Sequence, residues 1–134
     1  MTLYVDSSAL LKRYLVEPDS ERADEVLGSD DQLLTARHTT VEVRRNLSRA
    51  LTGAPLTQAR RSFQRDLGAF SIIELSPAVC NAAITIAEQL GVRTLDALHL
   101  GALQQVGGVA VTLLTFDLRQ AQAARSLGYT VLGC

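Results

Sequence analysis

The sequence predicts an α/β protein with a central, mainly parallel sheet covered by helices on both faces. Short apolar runs alternate with helical stretches from end to end, the order expected of strand–helix–strand units. Several runs are nearly continuous in Leu, Val and Ile, as strands buried on both faces must be. Glycine or proline marks most transitions, because each frees or fixes the backbone where an element stops.

Taken in order, Leu3-Tyr4-Val5 reads as a buried strand ending at Asp6. Ser7 and Ser8 offer caps for a helix over about 8–15, which Glu17-Pro18 interrupts because the residue before proline is pushed out of helical geometry. A second helix covers about 19–27 and stops at Gly28, and residues 32–36 form the next strand. Thr39 opens a helix reaching about residue 51, ahead of the turn residues Gly53 and Pro55; Thr57 opens another, closed by Gly68. Residues 70–75 are rich in β-formers, and Ser76-Pro77 starts a helix to Leu90 with Gly91 as its stop. Thr94 opens a helix to about Val106, Gly107-Gly108 ends it, and residues 109–115 make the clearest strand. Asp117 starts a final helix, Gly128 ends it, and residues 129–132 make a last strand. No repeat or linker divides the 134 residues, which fit one domain.

Hydrophobic residues make up 47% of the chain and charged residues 20%, a balance that supports a core and argues against disorder. Aromatics are 4%, with no Trp, so the core must be aliphatic. No apolar stretch reaches the roughly 20 residues that cross a bilayer. Asp6, Lys12 and Arg13 break up any signal-peptide pattern, so a cytoplasmic protein off the membrane is expected. Cys80 and Cys134 are too few and too distant for a metal or disulfide framework; Cys80 reads as a small core hydrophobe and Cys134 as exposed. The net charge of −1 hides an uneven distribution. Residues 1–36 carry three basic and eight acidic side chains, 37–65 seven Arg against Glu42 alone, and 66–134 three Arg against five acids. The basic island suits either a solvated helical face or a surface for phosphate or an acidic partner.

Sites in open parallel sheets form at the carboxyl ends of strands, where the next helices begin. Four acids fall at strand ends or helix starts: Asp6 after the first strand, Glu42 early in the helix after the second, Asp96 in the first turn of the helix opened by Thr94, and Asp117 after the 109–115 strand. Each has a purely structural role open to it. Thr39 and Glu42 have capping-box spacing, Asp96 gains from the helix dipole, and Asp6 and Asp117 can cap. Jointly those roles are less sufficient, because converging carboxylates repel one another unless a cation joins them. Hard oxygen donors suit Mg²⁺ or Mn²⁺, which can activate water in phosphodiester hydrolysis. Spacing leads to an acidic, metal-capable pocket and stops there.

The segments carrying these acids resemble the PIN-domain family, especially the VapC-type ribonuclease toxins of toxin–antitoxin pairs. Leu3-Tyr4-Val5-Asp6-Ser7-Ser8-Ala9-Leu10 is similar to that family's opening strand and first acidic motif, and Thr40-Val41-Glu42-Val43 to its second. Arg93-Thr94-Leu95-Asp96-Ala97-Leu98-His99-Leu100 is the most specific match, and Leu114-Thr115-Phe116-Asp117 resembles the fourth. The resemblance spans nearly the whole chain. It implies a three-layer α/β/α PIN-like fold, Mg²⁺ dependence with Mn²⁺ as the alternative, endonucleolytic RNA cleavage, a homodimer, and a cognate VapB-type antitoxin. It also implies that Asp6, Glu42 and Asp96 are the main metal-site acids, completed by Asp117, with Ser8 and Thr115 as polar neighbours. The fourth position is the family's most variable, and Leu118-Arg119 stands where relatives often carry further polar or acidic residues.

His99 lies within one helical turn of Asp96, as a substrate contact or as a buried neighbour of the site; His38 reads as a surface loop residue. Arg45 and Arg49 share a helix face, as do Arg61 and Arg65 on the next helix, so they can hold RNA phosphates or an acidic antitoxin segment. Two other functions remain as rivals. A receiver-like phosphoacceptor domain needs an adjacent acidic pair after the first strand, where Asp6 is followed by Ser7, and a Lys after the fifth, whereas Lys12 is the only lysine. A catalytically silent PIN-like binding module has no need of four filled acidic positions.

Overall fold

The computed structural model describes residues 1–29 and 32–134. Five parallel strands form one sheet: β1 (Thr2–Val5), β2 (Gln32–Ala36), β3 (Phe70–Ile73), β4 (Thr112–Thr115) and β5 (Val131–Gly133), in the order β3-β2-β1-β4-β5. The chain therefore winds outward from β1 to β3 on one side, then returns to build β4 and β5 on the other. That reversal places a topological switch point between β1 and β4, the place where open parallel sheets leave a crevice.

Strand alternation divides the core in two. Leu3, Val5 and Leu114 face one way and pack with Leu10, Val43, Leu47 and Phe63, drawn from α1 (Ser7–Leu11), α3 (Arg37–Ala50) and α4 (Gly53–Leu67). Tyr4, Leu34 and Leu113 face the other way. They meet α5 (Pro77–Leu90), α6 (Thr94–Val106) and α7 (Leu118–Ser126) through Val79, Ile86, Leu100, Leu103 and Ala124. The three layers expected from the sequence are present, and α2 (Ser20–Leu27) joins the first face through Leu27. Among the described residues, no helix is long and apolar enough to cross a membrane.

Several boundaries differ from the sequence reading. α1 stops at Leu11 and gives way to turns before Pro18. α3 begins at Arg37, directly from the end of β2, so Thr39 is already inside the helix. Its hydroxyl is buried and meets Thr35 Oγ1 at 2.8 Å instead of capping. The Thr39–Glu42 capping box does not form, which frees Glu42 from that role. Gly53 and Pro55 are not a turn but the first residues of α4; proline is tolerated there because first-turn amides have no helical partner. Residues 108–110 form a short 3₁₀ turn, so β4 is the C-terminal part of the predicted run. β5 likewise sits later than predicted, at Val131–Gly133. Cys80 is half-buried instead of a core residue, while Cys134 is exposed as expected.

Candidate active site

Asp6, Glu42, Asp96 and Asp117 reach one cavity of about 370 Å³, together with Ser7, Ser8, Arg93, Thr94, Leu95 and His99. Asp6 caps α1 at the end of β1, and Asp117 caps α7 just beyond β4; they flank the switch point from its two sides. Asp96 lies in the first turn of α6, and Glu42 projects from the second turn of α3. Four distant stretches of sequence thus supply four carboxylates to one opening.

Asp6 is the most enclosed. Oδ1 accepts from Ser8 Oγ at 2.6 Å and from the Ala9 amide at 3.1 Å, and Oδ2 accepts from Thr115 Oγ1 at 2.5 Å. Two oxygens offer about four lone-pair positions, so these contacts fix the carboxylate and leave room for another electropositive partner. Ser8 and Thr115 also lie 3.2 Å apart and accept from the Phe116 and Asp117 amides, tying β1 to the start of α7. Burial pushes the Asp6 carboxyl above its ordinary pKa, and nearby His99 with the Ser8, Thr115 and Ala9 hydrogen bonds offsets only part of that. An acid held this way lacks counter-charge.

Glu42 is held differently. Burial raises its pKa, but hydrogen bonds from His99 and Ser7 and the nearby histidines outweigh burial and leave it below the ordinary value. Its Oε1 receives His99 Nε2 at 2.7 Å, and His99 Nδ1 pairs with the Tyr4 hydroxyl at 2.7 Å. Both ring nitrogens of His99 are therefore engaged inside the protein, where this buried residue lines the cavity beside Glu42. Tyr4 stands in this chain because it points from β1 to the α6 side of the sheet; its own pKa is raised by burial, so it stays a hydroxyl.

His38, expected on a surface loop, is instead buried in the first turn of α3. Its ring lies 4.0 Å from that of His99, and Nε2 is 3.2 Å from the Leu95 carbonyl and 3.7 Å from Glu42 Oε1. Burial, then the nearby His99, lower its pKa from 6.5 to about 4. Since the unfolded chain takes up this proton near pH 6.5 and the folded chain only near pH 4, His38 subtracts stability as pH falls through that window. His38→Gln is expected to shrink the drop in Tm between about pH 7 and about pH 5, measured by calorimetry in chelator. Equal drops in both proteins would show that the imidazole is not buried neutral.

Arg93 closes the opening. Its Nε meets Asp96 Oδ2 at 3.1 Å, and its Nη2 lies 3.5 Å from Asp117 Oδ2. The guanidinium is two-thirds exposed, so screening keeps the pairs weak. It is nevertheless the cation that the carboxylates recruit from their own chain. Arg45 and Arg49 do not line the cavity; both are exposed on α3. Arg45 borders a separate basic depression with Arg44 and Arg60, where Arg60 donates to Ser48 at 3.0 Å.

The donor set fits Mg²⁺ or Mn²⁺: hard carboxylate oxygens, one of them on a buried acid short of positive charge. Tyr4, His38 and Arg93 were not singled out by sequence reasoning. Only Arg93 had a signal, lying three residues before Asp96 at helical spacing. The two histidines come together from positions 38 and 99, which no local pattern links.

The comparisons with known proteins bear on the fold and the family. The chain is 31% identical over 133 residues to ribonuclease VapC46 of Mycobacterium tuberculosis, covering 97% of this chain and 95% of that protein. Its fold superposes on FitAcB from Neisseria gonorrhoeae with a TM-score of 0.78 at 18% identity, covering 98% of this chain and 96% of that one. A toxin–antitoxin complex from Klebsiella pneumoniae matches with a TM-score of 0.67 at 17% identity, over 87% of each chain. The PIN domain model matches residues 3–126, from the first strand to the last helix, and with it the chain belongs to the PIN-domain family, alongside the VapC ribonucleases.

Proposed function

We propose that this protein, a single domain over residues 1–134, is a divalent-metal-dependent endoribonuclease and the toxin of a toxin–antitoxin pair. The observation that carries the reading is the convergence of Asp6, Glu42, Asp96 and Asp117 on one cavity at the switch point of the sheet. The name of the relative VapC46 supports ribonuclease chemistry, and the Klebsiella complex supports an antitoxin partner, which the resemblance makes VapB-like. A homodimer and a cytoplasmic setting are part of the same proposal.

Asp6, Glu42, Asp96 and Asp117 would hold Mg²⁺ or Mn²⁺, which when bound supplies an activated water and neutralises charge on the phosphoryl oxygens. The chain's own groups prepare that site. Ser8 and Thr115 fix Asp6, and His99 fixes Glu42. Arg93, which reaches Asp96 and Asp117 at the rim, would be placed to meet a phosphate there. The scarcity of aromatics leaves recognition to backbone charge and shape instead of base stacking.

The test is cleavage of a fluorogenic RNA by protein stripped of metal and then supplied with Mg²⁺ or Mn²⁺. Activity should vanish in chelator and return with either ion; undiminished cleavage in chelator would overturn the metal assignment. Arg45 and Arg49, one and two helical turns beyond Glu42, are proposed to follow the RNA backbone away from the cavity. Neutralising both should weaken RNA binding and lower the slope of log K against log salt by about 1.4, at roughly 0.7 per phosphate contact on a single strand. An unchanged slope would assign this face to the antitoxin or to solvent.

A further inference from the structure

Beside the acidic cavity lies a second group of donors with a different chemistry. Glu42 Oε1 is 2.7 Å from His99 Nε2 and 3.7 Å from His38 Nε2, and one donor atom from each of the three residues lies within 4.8 Å of the other two. Two imidazoles and a carboxylate are the donors of three-ligand zinc sites, whose fourth position stays open. With metal–ligand bonds of about 2.0–2.1 Å, tetrahedral coordination separates donor atoms by about 3.3 Å. The two observed separations bracket that value, so an ion needs side-chain adjustments of about half an ångström at each.

The surroundings support the same reading. A metal-bound histidine is held by a partner on its other ring nitrogen, and His99 has one: Tyr4, buried, at 2.7 Å from Nδ1. With an ion on Nε2, the imidazole hydrogen moves to Nδ1 and is donated to the Tyr4 oxygen. His38 is buried but has no such partner. Its Nδ1 is buried with no partner among the described residues, and its Nε2 makes one long contact with the Leu95 carbonyl. An ion on Nε2 replaces that contact, and the imidazole hydrogen it used moves to Nδ1.

We propose that His38, Glu42 and His99 form a Zn²⁺ site beside the acidic cavity, and that filling it withdraws Glu42 from the other acids and inhibits the enzyme. Imidazole nitrogen selects Zn²⁺ over Mg²⁺, which prefers oxygen and water. The two ions therefore compete for Glu42 without sharing a full ligand set. Zinc binding stands apart from ribonuclease activity, so a protein that bound Zn²⁺ here yet cut no RNA would retain the site and lose the function proposed above.

The chain has two histidines, so both rings can be followed by imidazole ¹⁵N NMR in tag-free, metal-stripped wild-type protein. Zn²⁺ should shift the Nε2 resonances of both rings together and saturate at one equivalent, while Mg²⁺ alone should not reproduce those shifts. Movement of one ring only, of neither, or a matching response to Mg²⁺ would overturn the proposal. Tyr4→Phe should weaken Zn²⁺ roughly ten- to a hundred-fold by removing the partner of His99; unchanged affinity would overturn the proposed role of Tyr4. Zn²⁺ should also suppress Mg²⁺-supported RNA cleavage in wild type but not in His38→Gln, each normalised to its own zinc-free rate. Equal suppression would place the inhibitory ion on the carboxylates instead.

Discussion

Asp6→Asn is expected to lower kcat for RNA cleavage by about a thousandfold or more, roughly 4 kcal/mol of barrier at about 1.4 kcal/mol per decade. The same substitution should not unfold the protein. Asn keeps the shape, can still accept from the Ala9 amide that Asp6 caps, and leaves Ser8 and Thr115 with a hydrogen-bonding partner. In chelator its Tm should equal or exceed that of wild type, because a buried carboxyl whose pKa burial raises is a liability when ionised. Added Mg²⁺ should raise the wild-type Tm and leave the variant's unchanged, since an ion that binds only the native state stabilises it. Asp96→Asn, in the half-buried first turn of α6, should lose activity to a similar extent. Full activity in either folded variant would remove these acids from the chemistry. A large loss of Tm for Asp6→Asn in chelator would show instead that its charge holds the fold.

Gly101→Ala is expected to be among the most destabilising small substitutions in the chain. Alanine normally stabilises a helix interior relative to glycine by about 1 kcal/mol, and α6 is otherwise a regular helix. Here a Cβ would stand 2.7 Å from the Val79 carbonyl oxygen and 2.9 Å from the Ala83 nitrogen. Those are backbone atoms of α5, and they cannot rotate away. Overpacking of this kind typically costs about 1–3 kcal/mol, and two backbone contacts this close put it at the upper end, leaving about 2 kcal/mol after the helix gain. A net loss near 2 kcal/mol would lower Tm by roughly 6–10 °C for a chain of this size. Ala83→Gly should restore only part of it, because it removes the Ala83 Cβ at 3.1 Å and leaves both backbone contacts in place. Complete rescue, or a rise in Tm for Gly101→Ala alone, would show that the helices separate easily. The site depends on the same contact, since Asp96 and His99 ride on α6 and any shift of it moves both.

The acids were legible because each sits beside a local signal: the end of an apolar run for Asp6 and Asp117, a helix start for Asp96. Glu42 was legible from its place early in the helix after the second strand, and it is its alternative role as a cap that did not survive. Its spacing from Thr39 fits a capping box, but α3 starts two residues before Thr39, so the acid turns toward His99 and Ser7 instead. The element boundaries that moved lie where tertiary contacts compete with propensity, as at Gly53 and Pro55, which enter α4 once it packs through Ala59 and Phe63. His38 was misplaced because a histidine near the end of a strand carries no pattern of its own; its burial comes from α6, more than fifty residues on.

The sequence by itself determined the alternation of strands and helices, the parallel sheet with two covered faces, and the four acids at strand ends or helix starts. Those follow from apolar periodicity and from chain geometry within a few residues. Only the tertiary structure decided that strand order reverses between β1 and β4, which is what brings Asp6 and Asp117 to one opening. It alone set Arg93 across Asp96 and Asp117, and joined Tyr4, His99, Glu42 and His38 into one group. Such contacts depend on how layers pack across the sheet, and residues so far apart in the chain leave no shared periodicity to read.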